Sequence, residues 1–410
     1  MAGEHLDLVD LLLLRIAAGA GSALDGAIGR LQASDWLKLA QRAIAFRLGP
    51  LLAQAVADHG WPTPADAKAL LERDRRENAL RALSQQRTLA SLASRMNRHG
   101  MAHAVLKGGA LVLGQAADRP VLRIMRDIDV LLSPSDAESL HSDLRSHGWA
   151  VPPGYLREAG PDSHHLAVLA DPENGNLVEL HIRLTKAARP AGAALGERIL
   201  RDAVTVSCLG GEVRITDPAS NFLHLLAHAT LNRPFDPGPQ FLADISGLAR
   251  DARLDPEALA AEARSAGLER ALGLTIGLLD NLAPLPDGKW RGLIPPETKD
   301  QLPAAMAALL HRQDRDRELR FREEFAGRGS SASWLVAGLA RAFSPRAEAL
   351  AAIAGRQPDD PLRYLAYPRW IAQRISSMAK ARFDPGIRSE TARADVLKDW
   401  LSVGTEGGRR

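Results

Sequence analysis

Cysteine, aromatic residues and long apolar runs are all scarce in this 410-residue chain. Its single cysteine, Cys208, excludes an intramolecular disulfide and a cysteine-rich zinc site, and favours a reducing compartment. No apolar run reaches the about 18 residues that a membrane-spanning helix needs. The leucines at 11–14 follow acidic residues and precede Arg15, unlike the apolar part of a signal peptide. We therefore expect a cytoplasmic protein without a membrane partner.

An excess of one charge is also missing, because 52 lysines and arginines face 49 aspartates and glutamates, for a formal net charge of +3. This near balance argues against long nucleic acid as a partner, although a locally basic surface and a tRNA acceptor stay open. The chain is instead rich in alanine and leucine. Of its residues, 46% are apolar and only 4% aromatic, a bias that favours helices.

Apolar residues recur at helical spacing on both sides of one segment that has strand-like runs. We predict a mostly helical α+β fold, in which a small mixed β-sheet with its helices is embedded between N- and C-terminal helical segments. The predicted units are an N-terminal helical segment (1–98), an α/β core (99–216), a helical domain (217–330), a C-terminal helical segment (331–404) and a disordered tail (405–410).

The α/β segment alternates short apolar runs with turn residues. Ser133-Pro134 begins a helix with a cap and an early proline, and Asn174-Gly175-Asn176 indicates a hairpin turn. We predict strands at 103–106, 128–132, 165–169 and 177–182, and a further hairpin at 203–215. The predicted helices are 66–98, 108–116, 133–148, 221–231, 239–251, 255–265 and 268–281.

A Gly-Gly turn, Gly108-Gly109, follows the first of these strands and begins a helix. In that position the free backbone N–H groups at the helix start can face an anion, and a Cβ would hold the anion away. Lys107 adds a positive charge beside the turn. Most Gly-Gly pairs are simple turns, so only the position of this pair between a strand and a helix favours phosphate binding.

Asp127 and Asp129 lie one residue apart in an apolar run, so both carboxylates point to one face of a strand. Two like charges so close repel each other unless a cation lies between them. The alternative is an exposed strand face with arginine partners, for which Arg123 and Arg126 are close in sequence. Following the Gly-Gly turn, the pair favours a metal–phosphate site.

Glu179 supplies a third acid, and it shares one strand face with His181 because Val178 and Leu180 occupy the other. A strand laid beside Asp127 and Asp129 would complete a three-carboxylate site. The alternative is an exposed glutamate on an edge strand. His165 precedes or begins another strand, where it could reach a phosphate or lie in a loop.

Two further features invite functional interpretations. His224 and His228 share a helix face, but the glutamate of a His-Glu-x-x-His metal motif is absent, so we expect core histidines. Asp244 lies in an apolar helix face, where it forms a buried pair with an arginine or helps to hold an acceptor.

These residues resemble the nucleotidyltransferase superfamily that includes DNA polymerase beta. There a Gly-Gly or Gly-Ser turn precedes an acid–apolar–acid strand, and a third acid lies on a later strand. The chain is more closely similar to the bacterial family of uncharacterised nucleotidyltransferases found beside peptide and capsule biosynthesis genes. The matching segments are Lys-Gly-Gly-Ala-Leu at 107–111, Arg-Asp-Ile-Asp-Val-Leu at 126–131 and Val-Glu-Leu-His-Ile-Arg-Leu at 178–184. The 222–228 helix, the helix of Asp244 and the Phe343-Ser344-Pro345 turn also look familial. The similarity is firm over about 100–250 and thinner outside.

The resemblance implies a role for each matching residue. The catalytic residues, which would also hold two Mg²⁺ ions, are Asp127, Asp129 and Glu179. The residues that would bind the NTP are Lys107, Gly108, Gly109, Arg123, Arg126, His165 and His181. The chain departs from the pattern in having Gly109 where many members have serine, and in the long insert at 117–125, whose Arg119 or Arg123 could contact phosphate.

The function predicted from the resemblance is Mg²⁺-dependent transfer of a nucleoside monophosphate from an NTP such as ATP to an acceptor hydroxyl or phosphate, with release of pyrophosphate. The acceptor that the family association favours is a peptide natural product, or otherwise a small molecule. Two alternatives stay open: toxin-like nucleotidylation of tRNA or protein, and a non-catalytic NTP-binding module.

Overall fold

A single mixed sheet of six strands lies in the middle of a mostly helical chain, which confirms the predicted α+β class. The computed structural model describes residues 6–116, 119–153, 155–156, 163–185, 190–231, 233–285, 287–310, 345, 347–357 and 359–402. The strands are β1 (His103–Val105), β2 (Asp127–Leu132), β3 (Leu169–Ala170), β4 (Leu177–His181), β5 (Val204–Cys208) and β6 (Gly211–Ile215). Their spatial order is β3-β4-β2-β1-β6-β5, with β2 parallel to β4 and β1 parallel to β6.

Helices fill the chain before the sheet, as the apolar spacing predicts. A left-handed Gly60 ends one helix, and the prolines at 62 and 64 precede the next. Thr63 does not cap that next helix, since its hydroxyl donates to the carbonyl of Trp61 instead. The N-terminal helices are α1 (Leu8–Ala17), α2 (Asp25–Ile28), α3 (Ala33–Ala45), α4 (Gly49–His59) and α5 (Ala65–Arg98).

Three helices connect the strands: α6 (Lys107–Leu113), α7 (Pro134–Ser146) and α8 (Pro190–Asp202). The predicted α7 is confirmed with its cap, because the hydroxyl of Ser133 accepts a hydrogen bond from the Asp136 N–H at 3.1 Å. Helix α6 ends at Leu113 rather than near 116. Helix α8 was not predicted from the sequence.

The helices after the sheet follow the prediction closely at 218–282. Asp217 caps the first of them by accepting from the N–H groups of Ala219 and Ser220. These helices are α9 (Pro218–Thr230), α10 (Pro239–Ala249), α11 (Pro256–Ser265), α12 (Glu269–Leu282), α13 (Gly288–Arg291), α14 (Leu302–Leu309), α15 (Ala347–Ala354), α16 (Tyr367–Phe383) and α17 (Pro385–Ser402).

The sheet separates two buried apolar clusters. One face packs on α5 and α7, where Ile128, Val130, Val178 and Leu180 lie beside the α5 residue Leu92. The other cluster joins α8 to helices that precede the sheet in the sequence and to helices that follow it. Alternation along β2 therefore sends Ile128, Val130 and Leu132 to the first face and leaves Asp127, Asp129 and Leu131 on the second.

Some further sequence predictions differ from the structure or fall on residues that it does not describe. The strand predicted at 165–169 is reduced to the two residues of β3, although His165 still bridges to His181. The charged stretch at 312–328, expected to be a solvated helix face or a linker, lies outside the described residues, as do the candidate flexible joint at 327–333 and the predicted tail at 405–410. The division into separate units stays a prediction. No helix in the described ranges is long and apolar enough to cross a membrane.

Candidate active site

The parallel pairing of β2 with β4 brings the predicted acids together. Its register sets Asp129 directly beside Glu179, and Leu131 beside His181. Side chains at register partners share one face of a sheet, so Asp129, Glu179 and His181 project together with Asp127. The predicted three-carboxylate arrangement is thus present on one sheet face.

Asp129 lies at the centre of this cluster and is almost fully buried. Its Oδ1 accepts from Lys107 Nζ at 2.7 Å and lies 2.7 Å from His181 Nε2. Lys107 reaches it from the first residue of α6, where the backbone is left-handed with φ 47°. A lysine seldom adopts that conformation, and such strain collects at functional sites. Lys107 therefore pairs with a carboxylate of the cluster, rather than standing free beside the turn.

The buried charges shift one another's protonation. Burial alone would raise the pKa of Asp129, but Lys107 and His181 hold it well below the usual value. Burial likewise opposes the charged forms of Lys107 and His181, yet the neighbouring carboxylates raise the pKa of both. The centre is consequently an ionised carboxylate of Asp129 held between the Lys107 ammonium and the His181 imidazole.

Asp127 differs from Asp129, because no lysine or histidine touches it in the described residues. Burial, followed by the charges of Asp129 and Glu179, raises its pKa to about 6. Arg123 and Lys107 oppose this shift without cancelling it. Asp127 is therefore the acid of the cluster that exchanges its proton near neutral pH.

One face of the cluster has the donor set of a divalent cation site. One ligand atom each from Asp129, Glu179 and His181 lie within 4.8 Å of one another. His181 Nε2 is 3.5 Å from a Glu179 oxygen, and His165 Nε2 is 3.8 Å from the same oxygen. The two carboxylates suit Mg²⁺ or Mn²⁺, whereas the imidazole suits softer ions such as Zn²⁺. A bound cation would compete with the proton on His181 and with Lys107 for Asp129.

Both glycines of the predicted phosphate turn have packing roles. A Cβ at Gly108 would overlap the guanidinium of Arg123, and a Cβ at Gly109 would overlap the side chain of Val105. Small residues are required here whether or not a ligand binds. Contact of these glycines with a triphosphate stays a prediction.

Arg123 is the residue of the long insert that reaches the turn. Its Nε donates to both oxygens of Asp244 at 2.8 and 3.0 Å. The alternative in which Asp244 forms a buried pair with an arginine is therefore what the structure shows. Arg123 does not pair with Asp127 or Asp129. Arg126 also carries its charge close to this region, because it helps to lower the pKa of Arg47.

His224 and His228 lie behind the cluster on α9. Burial lowers the pKa of both rings, that of His228 to about 3, so both are neutral. Neither nitrogen of His224 has a hydrogen-bond partner within the described residues. No third ligand joins them there into a metal group. The prediction of core histidines agrees with this environment.

Two residues near the site were not expected from the sequence. The pKa of Tyr155 is raised by burial and by the charges of Asp127 and Glu179, which places its phenol near these acids. Arg47, between α3 and α4, feels the charges of Arg126, Arg123 and Asp127. Neither belongs to a motif, and Arg47 is 80 residues from Asp127 in the chain, so no sequence pattern indicated either residue.

Comparison with known families gives one result. A family described as "Uncharacterised nucleotidyltransferase" matches residues 32–284, which include α3 to α12 and the whole sheet. No curated protein matches the chain.

Proposed function

Because the chain belongs to the uncharacterised nucleotidyltransferase family, we propose that it transfers a nucleoside monophosphate from an NTP to an acceptor with release of pyrophosphate. The placement of that family beside DNA polymerase beta is part of the proposal. The observation that carries it is the β2–β4 register, which puts Asp127, Asp129 and Glu179 on one face. An acid cluster of this kind, held rigidly, can bind a metal–triphosphate complex.

The residues fit a bound divalent cation, proposed here as Mg²⁺, held by Asp129 and Glu179 with Asp127 or His181. Such a cation would neutralise charge on the triphosphate and lower the pKa of an acceptor hydroxyl. Lys107 fixes Asp129 in place through their 2.7 Å contact.

In the proposed reaction, one bond to the α-phosphorus forms and one breaks. The acceptor oxygen forms a bond to the α-phosphorus, the bond between that phosphorus and the bridging oxygen breaks, and pyrophosphate leaves. Asp127 takes the acceptor proton, because its pKa of about 6 suits a general base near neutral pH. We propose a peptide or small molecule as the acceptor.

The test replaces single acids and measures pyrophosphate release from each NTP, with Mg²⁺ and candidate acceptors. Asp129→Asn and Glu179→Gln should each lower turnover by about a hundredfold or more, the scale on which removing one preorganised charge contact acts. Glu138→Gln, at an exposed position on α7, is the matched control and should keep full activity. Full activity in folded Asp129→Asn protein would refute the proposal.

A non-catalytic NTP-binding module is the second candidate. The observation that favours it is that Lys107 and His181 already contact Oδ1 of Asp129, a carboxylate that a metal would need. This candidate predicts NTP binding that is unaffected by Asp127→Asn and never yields pyrophosphate. Nucleotidylation of tRNA or protein would use the same site. With a labelled NTP, it would be recognised by the label on the tRNA or protein acceptor.

A further inference from the structure

A pocket of about 690 Å³ is lined in part by residues of α6. Its walls come from α6, the hairpin of β5 and β6, helix α10 and the start of α4. The volume is in the range of small-molecule sites. The pocket thus lies where the α/β core meets helices from both flanks.

Positive charge dominates the lining. Five arginines contribute to it: Arg47, Arg119, Arg123, Arg250 and Arg253. Two aspartates also line it, and each already pairs with an arginine, Asp244 with Arg123 and Asp251 with Arg253. Within the described residues, Arg47, Arg119 and Arg250 have no carboxylate within ion-pair distance. The pocket therefore carries a surplus of positive charge that its own residues do not neutralise.

Arg47 combines an unusual backbone conformation with a buried side chain that is only partly hydrogen-bonded. It holds a left-handed backbone with φ 61°, and its Nη2 donates to the Pro237 carbonyl at 3.3 Å. Its Nε is buried and has no hydrogen-bond partner in the described part of the chain. Burial, then the charges of Arg126 and Arg123, lowers its pKa to about 10. A buried donor and charge left in this state are costly unless an anion meets them.

The pocket adjoins the acid cluster. Arg123 lines the pocket and also contacts the Gly-Gly turn, where its guanidinium fills the space beside Gly108. Asn221, another lining residue, donates to the Lys107 carbonyl at 3.3 Å. Arg123 and Asn221 therefore link the pocket to the turn and to Lys107, the residue that pairs with Asp129.

We propose that this pocket binds a phosphate or polyphosphate group, with Arg47 as its central contact. Guanidinium groups match phosphate oxygens in geometry and charge. The group has two possible sources, the triphosphate of the NTP or a phosphate ester on the acceptor. Its assignment to a substrate rests on the proposed function, whereas the binding itself does not.

The test is calorimetric titration of the full chain with tripolyphosphate and with a phosphate monoester, glucose 6-phosphate, in EDTA. Without metal, binding reports the arginines rather than the acids. Arg47→Gln should weaken binding of at least one probe about tenfold, the loss of one charge-assisted hydrogen bond. Arg47→Lys should weaken it less, since it keeps the charge but loses the planar fork.

Two controls separate this proposal from the one above. Arg76→Gln, an exposed arginine on α5, should leave binding unchanged. Asp127→Asn should abolish turnover yet keep binding, so failure of the transfer activity and failure of the pocket are told apart. Melting temperatures establish that each variant is folded, and Arg119→Gln supplies a second pocket variant if Arg47→Gln unfolds.

Competition identifies the source of the phosphate. If ATP displaces tripolyphosphate from a single site, the pocket holds the triphosphate. If glucose 6-phosphate and ATP bind together, it holds the acceptor's phosphate. Absence of metal-free binding of both probes, or equal binding by wild type, Arg47→Gln and Arg119→Gln, would overturn the proposal.

Discussion

The position of Asp127, the proposed general base, lowers the stability of the folded protein. It shares a buried face with Asp129 and Glu179, but Lys107 and His181 both lie against Asp129. Burial, followed by the negative charges of Asp129 and Glu179, raises the pKa of its own carboxyl to about 6 from an ordinary 3.8. A residue kept in so unfavourable a place indicates a task beyond folding.

Replacing this acid should stabilise the metal-free protein at neutral pH. A raised carboxyl pKa means that the folded state binds the proton more tightly than the unfolded state. The resulting penalty is absent below about pH 4 and complete above about pH 6, where it reaches about 3 kcal/mol. Asp127→Asn should therefore raise the free energy of unfolding by up to that amount at pH 7.5 and little at pH 4.

Urea denaturation in EDTA at both pH values measures this effect, with Glu138→Gln as the reference variant. A gain of the same size at pH 4 and pH 7.5 would show that the charge of Asp127 is not its cause.

At the scale of single elements, the short helix α6 depends on what surrounds its first turn. The Arg123 guanidinium occupies the space beside Gly108, and the side chain of Val105 in β1 occupies the space beside Gly109. The sequence predicted this strand–turn–helix correctly and assigned both glycines to phosphate. It could not show the arginine, because the insert that carries Arg123 has no apolar period that would fix its path.

Gly108→Ala should destabilise the protein by about 1–3 kcal/mol, since the new methyl group must displace the guanidinium of Arg123 from its buried position. Gly26→Ala, in α2, is the matched control, because a Cβ there meets nothing within 4 Å. Thermal or urea unfolding of the two variants gives the comparison. A cost at Gly108 no larger than that at Gly26 would contradict the packing role.

Other elements show where local signals suffice. Helix α7 was predicted with its cap because Ser133 precedes an early proline, and Asp217 before Pro218 is the same kind of local signal at the start of α9. The reduced β3 and the missed α8 are cases where pairing with β4, or packing against β1 and β2, decides the structure. Such tertiary contacts leave little trace in a single sequence.

At the scale of the whole molecule, the pair of Arg123 and Asp244 joins the α/β core to helix α10. The partners are 121 residues apart and both are largely buried. The sequence suggested an arginine for Asp244 without identifying which one. Contacts over such distances, like those of Arg47 with the site, follow from the assembled fold, so sequence reasoning located the acids of the site better than its cations.

Asp244→Ala should cost about 3–5 kcal/mol, because it leaves the buried guanidinium of Arg123 without a counter-ion. The double variant Arg123→Met with Asp244→Leu should cost clearly less, since no buried charge then remains. Urea denaturation of the single and double variants completes the cycle. Equal losses in both would mean that the pair does not hold core and helix together.

The β2–β4 register has a consequence for how this site can vary among relatives. Asp129 and Glu179 are neighbours because two parallel strands pair, whatever the length of the chain between them. Insertions or deletions in the connecting 133–176 segment can therefore accumulate while the two carboxylates keep their spacing. We expect relatives to differ widely in the length of that segment. Such differences change the surroundings of the acids, while the acids themselves keep their positions.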